Sequence, residues 1–132
     1  MTEKPKPVLL VEDDTELRDA LAEALADAGY LVSVASNGRE GLDKIKDDPQ
    51  PGVVLLDLLM PVMNGWEFCD VMKGNPKTAQ VPIVVMSGAV SHDPESPYFI
   101  GAEDFIAKPI NMSDLLAKLE KYLGGAVNPA FR

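Results

Sequence analysis

The sequence predicts a doubly wound α/β domain, a five-stranded parallel sheet covered by helices on both faces. Short, nearly uninterrupted apolar runs, VLLV at 8–11, GVVLL at 52–56 and PIVVM at 82–86, read as strands buried on both sides. The segments between such runs carry apolar residues three and four apart, the stripe of an amphipathic helix. A third observation concerns chemistry as much as architecture. The hydrophobic runs hand over to Glu12 and Asp13, to Asp57, to Ser87 and, after DFIA at 104–107, to Lys108 and Pro109.

Each element has a local reason. Met1 to Pro7 is a polar, proline-containing leader expected to be flexible. After the first strand, Leu17, Ala20, Leu21, Ala24, Leu25 and Ala28 line one face of a helix over 15–28. Thr15 or Asp14 can cap its start, and Gly29 supplies a left-handed stop. YLVSVA at 30–35 alternates enough to suggest a strand at a sheet edge. Ser36-Asn37-Gly38 opens a second helix carrying Leu42 and Ile45, which ends before Pro49 and Pro51. The third strand, 52–56, is followed by Asn64-Gly65 and a helix from Trp66 to Lys73, with Gly74-Asn75-Pro76 ending it. Between Ser87 and Gly101 the alternation requires a fourth helix, but Pro94 and Pro97 leave space for about one turn, over 95–100. Asn111, with Asp114 three residues on, starts the final helix along Leu115, Leu116, Leu119 and Leu123, and Gly124-Gly125 stops it. The folded domain is expected to span 8–123, with 124–132 as a short tail.

Right-handed crossovers leave few orders for five parallel strands, and 2-1-3-4-5 is the common one. It makes strands one and three neighbours at the topological switch point, which would set Asp13 and Asp57 side by side.

Composition narrows the function classes. A chain of 132 residues with 46 % hydrophobic and 25 % charged residues fits one globular domain. A net charge of −9 without a Lys/Arg stripe argues against nucleic-acid binding. No apolar run approaches the ~20 residues that span a bilayer. The leader MTEKPKP lacks the hydrophobic stretch of a signal peptide, so a cytoplasmic protein is expected. One cysteine, Cys69, excludes an intramolecular disulfide. His92 has no second His or Cys near it in sequence to make a transition-metal site.

Open α/β sheets bind ligands beyond the carboxyl ends of their strands. Here that edge would gather the carboxylates of Glu12, Asp13 and Asp57, the Ser87 hydroxyl and the Lys108 ammonium. Clustered carboxylates repel one another, and a phosphoryl group adds further negative charge. A hard divalent cation with oxygen ligands offsets both, so the set suits Mg²⁺ and phosphate.

The segments VLLVEDD at 8–14, VVLLDLLMPVMNGWE at 53–67, VPIVVMSGA at 81–89 and GAEDFIAKPI at 101–110 together resemble the receiver domain of two-component response regulators. The form it resembles is stand-alone and chemotaxis-receiver-like, with the flavodoxin-like version of the fold. The resemblance implies that Asp57 accepts a phosphoryl group from a phosphohistidine on a sensor histidine kinase or a histidine phosphotransfer protein. It implies Mg²⁺ held by Asp13 directly, by Glu12 mainly through water, by Asp57, and by the backbone carbonyl of Leu59. Lys108, aimed by a cis Lys108–Pro109 bond, and Ser87 would contact the phosphoryl group, with Ser87 and Phe105 acting as switch residues. Leu59 and Ala89 would flank the path of hydrolytic water, and both are apolar. The output would be a changed face formed by the fourth helix, strand five and the fifth helix, read by a separate protein target, in a monomer or a phosphorylation-dependent dimer. Such a domain promotes only its own phosphorylation and dephosphorylation.

Four alternatives are weighed against it, one of them a degenerate receiver used only for docking, which the presence of every expected site residue disfavours. A phosphorelay shuttle would use the same chemistry and pass the phosphate to another histidine protein. A phosphatase of the haloacid dehalogenase type needs an acidic residue two places after its nucleophile, where this chain has Leu59. A flavodoxin needs a Ser/Thr/Gly-rich phosphate loop after strand one, where EDDTE would repel the flavin phosphate.

Overall fold

Five strands and four helices lie along the residues that a computed structural model describes, 6–47, 50–60, 62–87 and 101–124, alternating as far as the fourth strand. The strands are β1 (Val8–Val11), β2 (Val32–Ala35), β3 (Val53–Asp57), β4 (Ile83–Met86) and β5 (Asp104–Ile106). The helices are α1 (Thr15–Asp27), α2 (Gly38–Ile45), α3 (Gly65–Lys73) and α4 (Met112–Leu123). The sheet runs β2-β1-β3-β4-β5 with every neighbour parallel, the predicted doubly wound, flavodoxin-like order. The predicted short helix over 95–100, with Pro94 and Pro97, lies outside the described residues, as do Ala89, His92, residues 1–5 of the leader and 125–132 of the tail. Among the described residues no helix is long and apolar enough to cross a membrane.

The uninterrupted apolar runs follow from burial on two sides. Leu9 and Val11 of β1 pack with Val54, Leu56, Ile83, Val85, Phe68 and Met72 on the side of α2 and α3. Their neighbours Val8 and Leu10 pack with Val53, Leu55, Leu21, Leu25, Leu115 and Leu119 on the side of α1 and α4. Each fully buried side chain of this size contributes about 1.5–3 kcal/mol relative to exposure. The edge strand β2 is half-buried or exposed until Ala35, the reason its sequence alternates.

Helix ends account for the small shifts in boundaries. Asp14, rather than Thr15, caps α1: its carboxylate accepts from the Leu17 N–H. α1 closes in a Schellman motif, in which Gly29 N–H donates to Ala26 and Tyr30 N–H to Leu25, with Gly29 at φ 95°. That bond holds Tyr30 in the turn, so β2 starts at Val32 rather than at 30. α3 opens on a reciprocal capping box between Asn64 and Glu67.

The last strand is short and needs outside support. At its start Glu103 N–H donates to Ile83 O (3.0 Å), while the Glu103 carboxylate accepts from Ile83 N–H (2.6 Å) and pairs with Lys73 of α3. Asp104 is held by Lys118 (2.9 Å) and the Tyr122 hydroxyl (3.2 Å) of α4.

Candidate functional site

Strand register decides which polar side chains meet. Val11 pairs with Leu56 across β1 and β3, so the next residues, Glu12 and Asp57, end those strands side by side. Asp57 pairs with Met86, and Met86 with Ile106. Ser87 therefore leaves β4 at the same level, its N–H donating to Ile106 O at 3.0 Å. Lys108 follows β5 by two residues, and the Lys108–Pro109 peptide bond is cis.

The side chains converge as the strand ends do. The Lys108 ammonium donates to Glu12 Oε1 at 3.1 Å and to Asp57 Oδ1 at 3.2 Å. Glu12, Asp13 and Asp57 each offer a carboxylate oxygen within 4.8 Å of the others. Glu12 is 1 % and Asp57 6 % exposed, while Asp13 is open to solvent. Glu12 Oε2 also accepts from Asp14 N–H, and Asp57 Oδ1 from Leu58 N–H.

Electrostatics follow from that crowding. Burial, with the negative Asp57 adding to it, pushes the Glu12 carboxyl from an ordinary 4.5 up to about 7, against the opposing hydrogen bonds from Asp14 and Lys108. Partial burial works against the charge on Lys108, yet its bonds to Glu12 and Asp57 hold the ammonium above its usual pKa. The cluster thus has more negative charge than one lysine satisfies. An all-oxygen set, two acids buried and one open to water, is the donor chemistry a hard cation takes.

The loop after Asp57 is fixed by a close approach. Gly65 N–H donates to Leu58 O at 2.9 Å. A side chain at Gly65 would place its Cβ 2.6 Å from Leu58 Cδ2, 2.8 Å from Leu58 Cα and 2.9 Å from Asp57 O. The next helix can start against the acidic strand end only because that Cβ is missing. On this loop Leu58 and Met60 are buried, whereas Leu59 and Val62 are exposed.

A family model, the response regulator receiver domain, matches residues 8–120. The chain belongs to that family. The receiver domain is 33 % identical over 119 residues to response regulator MprA of Mycolicibacterium vanbaalenii, an alignment covering 90 % of this chain and 51 % of that protein. It is 30 % identical over 118 residues to transcriptional regulatory protein HprR of Escherichia coli, covering 88 % and 51 %. The chain thus spans about half the length of the curated relatives it matches. Among solved structures, chemotaxis protein CheY4 of Vibrio cholerae superposes with a TM-score of 0.77 at 32 % identity, covering 91 % of this chain and all of that one. A CheY-like receiver domain from Methanospirillum hungatei gives 0.74 at 32 %, covering 92 % and 96 %.

The receiver fold brings Glu12, Asp13, Asp57 and Lys108 into one cluster and puts Ser87 at the adjoining strand end. Leu59 lies two residues past Asp57 with its side chain 74 % exposed. Phe105 is half-buried against the α2/α3 side of the core. Trp66 packs on the same side. Sequence reasoning missed Arg18, whose guanidinium donates to Glu12 O at 3.3 Å and ties α1 to the site loop. It also missed the Glu67 half of the capping box, although N-x-x-E was there to be read.

Proposed function

We propose that the chain is a phosphorylation-controlled switch whose Asp57 accepts a phosphoryl group from a phosphohistidine on a sensor kinase or phosphotransfer protein. The observation that carries this reading is the Lys108 ammonium bridging Glu12 and Asp57 at 3.1 and 3.2 Å beside Asp13. An Asp57 oxygen attacks phosphorus and forms the new O–P bond. The P–N bond to the imidazole breaks, and the imidazole nitrogen keeps the electron pair and takes up a proton. Lys108 exchanges a carboxylate for a phosphoryl oxygen, and the Ser87 hydroxyl donates to another. Glu12, Asp13, Asp57 and the Leu59 carbonyl would hold Mg²⁺, which when bound supplies the positive charge that these acids and the phosphoryl oxygens lack. Positioning and charge stabilisation are most of what phosphoryl transfer asks of a protein.

Phosphate drawn to Ser87 and Lys108 favours one of two packings at the β4 and β5 ends, and Phe105 follows it to alter the face read by a downstream protein. The test is incubation with acetyl phosphate and Mg²⁺, read by intact mass. One phosphoryl group is expected on the wild type, none on Asp57→Asn, and none when the cation is chelated. Labelling of Asp57→Asn to the wild-type level sinks the assignment.

A pH dependence follows from Glu12. Its carboxyl binds a proton more tightly folded, about 7, than its ordinary 4.5. The stability this gives is complete below 4.5 and is lost as pH rises through about 7, a decline on the order of 3 kcal/mol. Denaturant melts in chelator should show lower stability at pH 8 than at pH 5, and Mg²⁺ should shrink the difference. Asp104 sets the acid side: burial opposes its charge, but Lys118, Phe105 N–H and Tyr122 lower it from 3.8 to about 2. Its contribution is present above 3.8 and fades toward 2. A melt that improves steadily from pH 5 to pH 8 without cation contradicts the Glu12 argument.

A further inference from the structure

Among the described residues the two most exposed large apolar side chains stand on one short loop, and that loop begins at Asp57. Leu59 is 74 % and Val62 75 % exposed. Val62 also has a left-handed backbone, φ 71°, alone among described non-glycine residues. A β-branched residue is poorly suited to that region, where the Cβ crowds the following carbonyl at a cost of roughly 1–2 kcal/mol. Glycine or asparagine fills such a turn more cheaply. Among the described residues the valine side chain, 75 % exposed, gains little packing in return. The loop itself is firmly seated: Met63 O accepts from Gly38 N–H of α2 at 3.3 Å, and Leu58 O from Gly65 N–H of α3 at 2.9 Å. Two large apolar side chains exposed on one loop at an energetic cost have the properties of an interface anchor.

The position limits what can cover it. The Asp57 carboxylate is almost buried, and the loop that carries Leu59 and Val62 starts at Asp57 itself, so a protein delivering phosphorus there comes up against that loop. We propose that Leu59 and Val62 form an apolar lip that selects the phosphodonor, taking apolar side chains one turn away from the phosphohistidine on the donor's helix. This rests on the phosphoacceptor reading of Asp57. An acidic donor surface is disfavoured by the adjoining carboxylates and by a net charge of −9. The lip touches neither the O–P bond that forms on Asp57 nor the P–N bond that breaks. Val62 therefore acts on recognition of protein donors and leaves the chemistry of small donors alone.

Two helical peptides, phosphorylated on histidine with phosphoramidate, test this. One carries leucine three and four residues after the histidine, and the other carries serine there, because those positions share its helix face. The wild type is expected to prefer the leucine peptide by about tenfold in second-order rate constant, about 1.4 kcal/mol. Val62→Asn and Val62→Gly should each erase most of that preference, leave labelling by acetyl phosphate at the wild-type rate, and melt no lower than wild type. Equal rates with the two peptides, a preference that survives both substitutions, or no peptide transfer while acetyl phosphate labels normally overturns the lip. Failure of acetyl phosphate to label the wild type overturns the reading of Asp57 instead.

Discussion

Replacing Lys108 with alanine is expected to slow labelling of Asp57 by acetyl phosphate by about a hundredfold, the usual effect of deleting one charge-stabilising donor. The ammonium sits 3.1 Å from Glu12 and 3.2 Å from Asp57, so on the proposed reading of Asp57 an incoming phosphoryl oxygen would meet it. Its removal has a second effect, on the resting protein. Glu12, at 1 % exposure, then faces Asp57 without that counter-ion, and breaking one side of a buried pair commonly costs about 3–5 kcal/mol. The true figure is smaller, because the Lys108 side chain is 34 % exposed and water partly replaces it. The two effects separate experimentally: at pH 5 Glu12 is protonated, so the variant should regain stability there without regaining rate. Labelling close to the wild-type rate at equal Mg²⁺ would remove Lys108 from the mechanism.

Gly65→Ala should be the most disruptive small substitution near the site. The added Cβ would lie 2.8 Å from Leu58 Cα and 2.9 Å from Asp57 O. Both are backbone atoms, which cannot swing aside as a side-chain tip can. Relief requires α3 to move from the end of β3 or the strand end to tilt, and overpacking of this kind costs about 1–3 kcal/mol. Either movement carries the Asp57 carboxylate away from Lys108. The expectation is a lower denaturation midpoint together with slower labelling, measured on the same preparation. Asn64→Ala is the control. It deletes the α3 cap without crowding the strand, so it should cost about 1 kcal/mol and leave the labelling rate near wild type. Equal behaviour of the two variants in rate would show that α3 stability, rather than the close approach, governs the site.

The architecture was legible because two-sided burial leaves a plain mark in sequence. VLLV, VVLL and IVVM are continuous because Leu9 and Val8 face different cores, and the alternating edge strand stands out beside them. Polar residues at the run ends located the site for the same reason: a parallel sheet collects its strand termini in one row. What stayed hidden depends on contacts between distant positions. Neither the Glu103–Lys73 pair nor the Asp104–Lys118–Tyr122 cluster has a local pattern, since each partner on its own is an ordinary charged surface residue. Arg18 was hidden likewise, because its partner is a backbone carbonyl and any residue could supply it. The left-handed backbone of Val62 ran against propensity, so sequence reasoning had no cause to expect it.

Glu103 and Asp104 grip one end of the outermost strand from opposite sides, through Lys73 of α3 and through Lys118 and Tyr122 of α4. The other end, where Lys108 leaves the sheet, is held across the site by the bonds of its ammonium to Glu12 and Asp57. A beam bolted at its mounting and tied at its tip turns about the mounting more readily than it slides lengthwise. A change in charge around Lys108 therefore pulls on the tip, while the grip at Glu103 and Asp104 keeps the beam in step with its neighbour β4.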